Sequence, residues 1–452
     1  MHHVHSTISR VDSFYIGIFD IFSSSSRFTF VKIYDKIYTV NQINTVERDS
    51  MDTYSIGRTI ADLRKKNKMT QLALAEQLGV SDKAVSKWEN GQGYPDIVLF
   101  PVLSEIFGVT IDYLMNGEKK AIAIAGNMLV DIVKTIDCYP AIGTLSNISH
   151  ISKAVGGCAP NTSIDLAKID QSVPISVFGK LGMDDNGRYV IAQLQKYGIN
   201  TEGISYSSSI ETSFSDVMSM PSGERTFFHQ SGANTEFEPK DIELTSNNYA
   251  IFHIGYIMLL DKFDAPDEKY GTVMARFLHD VQAKGIKTSI DAVSANIDNY
   301  GEKIIPSLKY SNYAIMNEIE STATWNLSPR NTDGSINRKN VRLAMEKMAE
   351  AGVRDKVIVH AKEMCFILDS VNSEFCEIPS LKIPKEKILG SVGAGDAFCA
   401  GALYGIYQGY TNRQILEFAS AAAACNLFAD NSVDGMLTRN EIMQLPTKYG
   451  RI

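Results

Sequence analysis

The hydrophobic pattern of the chain changes twice along its length. Residues 1–50 are aromatic and serine-rich and have no steady helical or strand period. Residues 54–115 place apolar side chains at helical spacing in short runs, which predicts an all-α domain of short helices. After a polar linker at residues 116–120, apolar runs of strand length alternate with helical stretches through residues 121–452. The pattern therefore predicts three segments of different structure.

The longest of these segments has the pattern of an α/β fold. Strands are predicted near Ile175–Val177, Ile251–Ile254, Thr288–Asp291, Tyr313–Met316, Lys356–His360 and Cys365–Leu368, with helices between most of them. Strands that alternate with helices in this way favour a doubly wound, mostly parallel sheet with right-handed crossovers. We therefore expect one large sheet covered by helices on both faces.

The first fifty residues allow two interpretations. They are either a poorly ordered tail or an upstream extension of a chain whose translation begins at Met51. His2, His3 and His5 could bind a metal ion, but a short histidine-rich terminus without a partner ligand favours a solvated segment. We predict no structural metal site.

Composition and charge narrow the class of protein. Hydrophobic residues make up 44% and charged residues 21%, which indicates globular domains, and the net charge of −8 excludes an overall basic field. The six cysteines form no C-x-x-C pair, so we expect reduced thiols in a cytoplasmic protein. No apolar run reaches the roughly 18 residues of a membrane span, so no membrane association is expected.

A helix, a tight turn and a second helix are predicted between Thr70 and Trp88. Thr70 and Ser81 are suitable N-caps, and Gly79 supplies a left-handed turn between the helices. The positions predicted to face inward are Leu72, Ala75 and Leu78 on the first helix, and Val85 and Trp88 on the second.

This segment resembles the Cro/repressor-type (XRE) helix-turn-helix family. The resemblance implies that the second helix enters the major groove of double-stranded DNA while the first crosses the backbone. The DNA-binding residues that it implies are Gln71, Ser81, Lys83, Ser86 and Lys87, with the lysines mainly on phosphate. Basic and acidic residues between positions 51 and 120 number nine each, so the electrostatic share of affinity is small and a dimer would offset it. A protein-interaction role for the same helices, or a loss of DNA binding, stays open.

The stretch Gly393, Ala394, Gly395 and Asp396 at the start of a predicted helix indicates phosphoryl transfer. Glycine lets backbone N–H groups converge on an anion, and the helix dipole favours negative charge there. An aspartate in this place would repel the bound anion, so a structural role alone does not explain it. We interpret Asp396 as a general base that removes a proton from a hydroxyl attacking a phosphoryl group.

The stretch from Gly390 to Phe398 closely resembles the carboxy-terminal signature of the ribokinase-like (PfkB) carbohydrate kinases, and the likeness covers residues 121 to about 445. It implies Asp396 as the catalytic residue, with Gly393, Ala394 and Gly395 as the anion hole. The substrate-binding residues that it implies are Asn127, Asp131, Gly156, Gly157 and Asn161. Asn317 and Glu320 would organise Mg²⁺ around the phosphates of ATP. A sugar substrate and a homodimer are further implications.

Each motif taken alone has a structural alternative. Asp131 could be a turn residue, the glycine pair could mark a loop, and Asn317 could cap a helix. Gly390 stands where many relatives have an acid that helps to hold a monovalent cation, so activation by such an ion is doubtful. A small β lid is expected from residues 131–147 and 211–230, with a hairpin turn at Gly223–Thr226 and Arg225 facing an anionic substrate or solvent.

The resulting hypothesis is an ATP-dependent sugar kinase fused to a sequence-specific DNA-binding regulator domain. One alternative is a sugar-responsive regulator whose kinase-like body senses ligand without catalysis. A second alternative is a nucleoside kinase on the same scaffold.

Overall fold

The computed structural model describes residues 53–117, 119–220, 224–245, 248–294 and 299–452. The predictions for residues 1–50, including the histidine cluster, lie outside these residues. The chain divides into two compact units, with the boundary between Lys119 and Lys120. In the described ranges, every helix is too short or too polar to cross a lipid bilayer.

The first unit is built from short helices. They are α1 (Thr53–Lys66), α2 (Gln71–Leu78), α3 (Asp82–Glu89), α4 (Phe100–Phe107) and α5 (Ile111–Asn116). The predicted helix-turn-helix caps are present: Thr70 Oγ1 accepts from the N–H of Ala73 at 3.1 Å, and Ser81 Oγ accepts from the N–H of Ala84 at 3.2 Å. Gly79 ends α2 with φ of 66°, the left-handed turn that the sequence predicted.

One inward-facing residue of α2 was predicted wrongly. Leu72 has 57% of its surface exposed, whereas Leu74 is fully buried with Ala75 and Leu78. Leu74 precedes Leu78 by four residues, so the two side chains share one face of the helix. Val85 and Trp88 of α3 are buried as predicted.

A buried ion pair and a hydrogen bond link the first three helices of this unit. Arg64 on α1 places Nε 2.6 Å from Oε1 of Glu89 on α3, and Gln71 on α2 donates to Oε2 of the same carboxylate at 2.8 Å. Burial raises the pKa of Glu89, but the bonds from Arg64 and Gln71 outweigh it and leave the pKa below its ordinary value. The helix-turn-helix is therefore fixed by polar as well as apolar contacts.

The second unit is α/β. Its strands are β1 (Ala121–Ala125), β2 (Leu129–Ile136), β3 (Ile148–Gly156), β4 (Ile175–Gly182), β5 (Ile204–Ser207), β6 (Phe214–Ser219), β7 (Arg225–Gln230), β8 (Tyr249–Ile257), β9 (Pro266–Asp267), β10 (Gly271–Thr272), β11 (Lys287–Ala292), β12 (Tyr313–Asn317), β13 (Lys356–His360), β14 (Met364–Asp369) and β15 (Phe375–Pro379). Its helices are α6 (Cys158–Ile169), α7 (Asp185–Lys196), α8 (Val273–Ala283), α9 (Tyr300–Leu308), α10 (Glu318–Ala323), α11 (Arg338–Ala351), α12 (Ala394–Tyr407), α13 (Asn412–Asn426), α14 (Arg439–Ile442) and α15 (Leu445–Tyr449).

Nine strands form the central sheet in the order β15-β14-β13-β12-β11-β8-β1-β4-β5. Pairing is parallel from β13 to β5, while β14 and β15 are antiparallel at one edge. Ile122 and Ile124 of β1 belong to the core beneath α6, α7, α12 and α13, and Ala123 and Ala125 belong to the core on the opposite face. The doubly wound sheet is confirmed.

A second sheet of four strands has the order β3-β2-β6-β7. The predicted lid segments contain most of β2 and all of β6 and β7, but the strand Ile148–Gly156 was missed, and the prediction that the first segment ends at residue 147 is wrong. Strand β3 pairs antiparallel with β2 along its whole length, so the sheet begins with a long hairpin. The predicted turn at Gly223 lies partly outside the described residues, and β7 begins at Arg225.

Asp165 is an unusual core residue. It is fully buried on α6, which packs against α12, and neither carboxylate oxygen has a hydrogen-bond partner among the described residues. Lys168 lies one turn away but donates to the carbonyls of Val433 and Asp434. Burial, with a smaller contribution from Asp396, raises the pKa of Asp165 well above its usual value.

We predict that Asp165→Asn stabilises the second unit at pH 7. Because the pKa of Asp165 is raised in the folded state, the group favours folding below the unfolded-state pKa of about 3.9. This contribution is lost as pH rises, so the free energy of unfolding of the wild type is reduced at neutral pH. The melting temperature at pH 7 should increase by about 2 to 8 °C, and the gain should shrink toward pH 4.

Circular dichroism melts of the full chain at both pH values measure this difference. Asp185→Asn is the matched control, because its carboxylate is exposed at the surface and should change the melting temperature little. An equal gain at pH 4 and pH 7 would show that ionisation of Asp165 is not its cause.

Candidate active site and DNA-binding surface

The predicted anion hole lies at the N-terminus of α12. Gly393 is the residue before the helix and has φ of 81°, a left-handed conformation, and a Cβ there would lie 2.7 Å from Ser432 Cβ. The N–H groups of the first turn form the positive end of the helix dipole, and that of Ala394 donates to the carbonyl of Ser391 at 3.3 Å. A Cβ on Gly395 would be in ordinary van der Waals contact with His360 at 3.7 Å, and Gly395 lines a cavity.

Two adjoining cavities meet at Asp396. The first, about 200 Å³, is lined by Asn127, Leu129, Asp131, Gly157, Asn161, His229, Tyr256, Leu259, Val392, Gly393, Asp396 and Ser432. The second, about 230 Å³, is lined by Tyr256, Asp291, Ala292, Val293, Ser294, Ile315, Asn317, Glu320, His360, Gly395, Asp396 and Cys399. The structure thus brings four of the five predicted substrate residues to one cavity, and both predicted magnesium residues to the other. Asp396 and Tyr256 line both.

The carboxylate of Asp396 is held by two donors. Asn161 Nδ2 donates to Oδ2 at 2.8 Å, and the hydroxyl of Tyr256 donates to Oδ1 at 3.0 Å. Asp396 is 3% exposed, and this burial raises its pKa to about 6 although the bonds from Asn161 and Tyr256 oppose the rise. A carboxylate with such a pKa can accept a proton near neutral pH.

Tyr256 is a site residue that the sequence analysis missed. It lies near the end of β8 with φ of 62°, and its N–H donates to Asp291 Oδ1 at 2.6 Å. A left-handed backbone at a tyrosine is strained and clusters at functional sites, but it leaves no mark in a sequence. The available signal was position, because ligands of doubly wound sheets bind at the carboxyl ends of the strands.

The two glycines of the di-glycine element make room for neighbouring protein groups. A Cβ on Gly156 would lie 2.4 Å from Oδ2 of Asp131, and a Cβ on Gly157, where φ is 90°, would lie 2.4 Å from the carbonyl oxygen of Asn127. The side chain of Asn127 in turn accepts from the N–H of Cys158 at 3.0 Å, at the start of α6. The first cavity is therefore built by close contact between β2, the end of β3 and α6.

Asp131 lies within β2 and pairs with Ala154 and Ser215, so the alternative of a turn residue is wrong. Burial and the nearby charge of Asp396 raise its pKa to about 6, while Arg225 opposes the rise. Arg225, at the first residue of β7, is half-buried and donates to the carbonyl of Asp430 at 3.2 Å. A guanidinium thus lies within electrostatic reach of the first cavity.

Asn317 and Glu320 form a capping box at the start of α10 as well as lining the second cavity. Asn317 Oδ1 accepts from the N–H of Glu320 at 2.8 Å, and Glu320 Oε2 accepts from the N–H of Asn317 at 2.9 Å. Glu320 Oε1 also accepts from Ser294 Oγ at 3.0 Å, and burial raises the pKa of Glu320 to about 8. Both interpretations left open by the sequence are compatible with this geometry.

The predicted DNA-binding residues divide by environment. Ser81, Lys83 and Lys87 on and before α3 are exposed, and Ser86 is half-buried. Gln71, the first residue of α2, uses its amide to donate to Glu89. Three of the five residues are therefore exposed, Ser86 is half-buried, and Gln71 supports the structure of the first unit.

Comparison with known proteins agrees with this arrangement. Residues 121–438 match the model of the pfkB family carbohydrate kinases, and residues 60–114 match a helix-turn-helix model. The chain is 25% identical over 305 residues to 5-dehydro-2-deoxygluconokinase of Listeria monocytogenes serotype 4a (strain HCC23), across 65% of this chain and 87% of that protein.

Solved structures show the same fold. Ribokinase of Arabidopsis thaliana, complexed with ribose and ATP, has a TM-score of 0.59 and 18% identity, and the match covers 73% of this chain and 99% of that one. A nucleoside kinase of Methanocaldococcus jannaschii has a TM-score of 0.57 and 20% identity, with 74% and 100% covered.

The chain belongs to the pfkB family of carbohydrate kinases and has a helix-turn-helix domain ahead of the kinase. It is a sugar kinase, a phosphotransferase with an alcohol group as acceptor, fused to a DNA-binding domain.

We predict that Tyr256→Phe raises the pKa of Asp396. The variant removes one of two donors to a buried carboxylate, so the charged form loses support and the pKa should increase by about 1 unit. Carbon-13 NMR of aspartate-labelled protein, with Asp396→Asn to assign the signal, measures the titration.

Tyr404→Phe is the matched control, because its hydroxyl donates to Asp170 at 3.0 Å and not to Asp396. A midpoint for Asp396 that is the same in both variants would contradict the electrostatic role of Tyr256.

Proposed function

We propose that Asp396 is the general base of this sugar kinase. The observation that supports this most directly is that one carboxylate lines both cavities. A sugar hydroxyl in the first cavity and a phosphoryl group in the second can therefore meet at its oxygens. Asp396 takes the hydroxyl proton as the oxygen attacks phosphorus, while Asn161 and Tyr256 hold the carboxylate in place. The N–H groups at Gly393, Ala394 and Gly395 stabilise the charge on the phosphoryl oxygens.

ATP is the proposed phosphoryl donor, with Mg²⁺ as its cofactor. Structural neighbours were solved with ribose and ATP, and with ADP. The donor set fits a magnesium ion, because Asn317 and Glu320 offer oxygen atoms beside the second cavity and a nearby cation favours the ionised form of the buried Glu320. When bound, the ion neutralises charge on the phosphates. Asn317 and Glu320 would hold it through water, since their own contacts form the capping box.

The proposed substrate class is a keto sugar acid. Relatives of this chain are named 5-dehydro-2-deoxygluconokinase, and the substrate in that name is a sugar derivative that has a carboxylate. Arg225 supplies a cation near Asp131 of the first cavity, where it opposes the rise in the pKa of that carboxyl. Asp131 and Asn127 are placed to accept and donate hydrogen bonds to sugar hydroxyls. The lid strand that holds Arg225 can close over such a substrate and exclude water.

A substrate panel with ATP and Mg²⁺ tests these assignments. It contains 5-dehydro-2-deoxygluconate, ribose, fructose and adenosine, and turnover is followed by ADP release. We expect the sugar acid to have the highest kcat/KM, and Asp396→Asn to lower kcat by about two to four orders of magnitude. Arg225→Gln should raise KM for the sugar acid while changing that for ribose little.

Other outcomes of the panel identify the alternatives. Preference for adenosine would indicate a nucleoside kinase. Binding of a sugar without turnover would indicate a sensor of ligand. Unchanged turnover in Asp396→Asn would show that Asp396 is not the general base, without contradicting the kinase activity itself.

The first unit is proposed to bind double-stranded DNA through α3. Lys83 and Lys87 are exposed cations on one short helix, where they can contact phosphates, while Ser81 and Ser86 lie beside them for base edges. Free thiols at all six cysteines, together with the use of ATP, support a cytoplasmic protein.

A homodimer is proposed for the kinase unit. Its lid sheet exposes large apolar side chains on β3 and β7, namely Ile148, Ile151, Phe227 and Phe228. Exposed apolar residues on a sheet mark an interaction surface, and a second copy of the lid would bury those that share one face, since the adjacent Phe227 and Phe228 point to opposite faces. Two helix-turn-helix units in one dimer could read two half-sites.

Lys83→Ala is predicted to weaken binding to duplex DNA taken from upstream of the protein's own gene. The loss of one phosphate contact should lower affinity for all sequences and reduce the salt slope of log K by about 1. Fluorescence anisotropy at several salt concentrations measures both. Lys66→Ala, an exposed lysine on α1, is the control. Equal affinity and slope for Lys83→Ala and the wild type would remove α3 from the interface.

A further inference from the structure

Three different side chains converge behind the second cavity. His253 on β8, Asp291 on β11 and Cys399 on α12 place one nitrogen, one oxygen and one sulfur within 4.8 Å of one another. Their exposed fractions are 0%, 7% and 2%. Nε2 of His253 lies 3.6 Å from Sγ of Cys399 and 3.7 Å from Oδ2 of Asp291. The phosphoryl-transfer assignment uses none of these three atoms.

Neighbouring groups orient two of the three. Nδ1 of His253 lies 3.0 Å from the hydroxyl of Ser289, so a proton on Nδ1 can be donated to that oxygen and the lone pair of Nε2 faces Cys399 and Asp291. Oδ1 of Asp291 accepts from the N–H of Tyr256 at 2.6 Å, which leaves Oδ2 directed toward His253. Such partners fix the tautomer and direction of metal ligands in proteins.

Two of the three ligand spacings fit a tetrahedral ion, and the third, between Asp291 and Cys399, is within 4.8 Å. Zinc lies about 2.0 to 2.1 Å from nitrogen or oxygen and about 2.3 Å from sulfur, which sets ligand atoms roughly 3.3 to 3.6 Å apart. The distances from His253 to Cys399 and Asp291 are within a few tenths of an ångström of that range. An S–H to nitrogen hydrogen bond also fits the first distance, so a test must detect the bond between sulfur and metal.

We propose that His253, Asp291 and Cys399 form a binding site for a zinc-like divalent ion, distinct from the proposed magnesium residues. A set of sulfur, nitrogen and carboxylate ligands selects zinc over magnesium. Cys399 loses its thiol proton to solvent when the ion binds. Asp291 and Cys399 also line the second cavity, so the fourth position of the ion is open toward Asp396. An ion there occupies part of the space for the phosphoryl group and inhibits the kinase.

Cobalt(II) added to chelator-treated full-length protein tests the site. A thiolate-to-cobalt charge-transfer band should appear in the near ultraviolet, saturate at one equivalent per chain and disappear when zinc is added. Cys399→Ala should abolish the band, and Cys425→Ala, another buried cysteine whose thiol contacts the carbonyl of Ala421, should retain it. Ser289→Ala should weaken cobalt binding by about 10- to 100-fold.

The spectrum is independent of turnover, so it is decisive whether or not the kinase assignments hold. Histidines near the N-terminus lack sulfur and cannot produce the band. Absence of the band in the wild type, or its persistence in folded Cys399→Ala, would overturn the proposal. Loss of the band in Cys158→Ala, with its retention in Cys399→Ala, would show that the bound thiol belongs to Cys158 and overturn the proposed site. Circular dichroism confirms that each variant is folded.

Discussion

The proposed active site depends on keeping the carboxylate of Asp396 out of water while leaving it able to take a proton. Burial alone disfavours its charged form, and the amide of Asn161 and the hydroxyl of Tyr256 limit that penalty. These donors come from α6 and from the end of β8, so the sheet and the helix must be docked before the carboxylate is held. The helix dipole at the start of α12 then lies beside it.

Several acids share this region, and each affects its neighbours. The charge of Asp396 raises the pKa of Asp131, and the charge of Asp291 raises the pKa values of Glu320 and Asp396. Such a concentration of negative charge is costly in a protein interior unless cations or protons compensate. Arg225 of β7 supplies one positive charge near Asp131. The proposed magnesium ion beside Asn317 and Glu320 would supply another and so compensate part of this negative charge.

The first unit uses the same physical principle for structure. Arg64, Gln71 and Glu89 bring three helices together through a buried carboxylate whose donors outweigh the cost of burial. The exposed side chains of α3 take no part in these contacts, so they can contact a partner. The two units thus place their functional groups on helices fixed by buried polar contacts.

Periodicity and local chemistry in the sequence determined the alternation of strands and helices, both helix caps at Thr70 and Ser81, and the glycine turn before Asp396, because these follow from short-range backbone physics. The sequence could not assign Leu74 over Leu72, since residues three and four apart share a helix face and packing selects between them. It also missed β3, whose sequence mixes polar and apolar residues without strand alternation, and which is held by pairing with β2. The role of Tyr256 and the meeting of His253, Asp291 and Cys399 were decided by tertiary structure, because residues distant in sequence become neighbours only when parallel strands and α12 pack together.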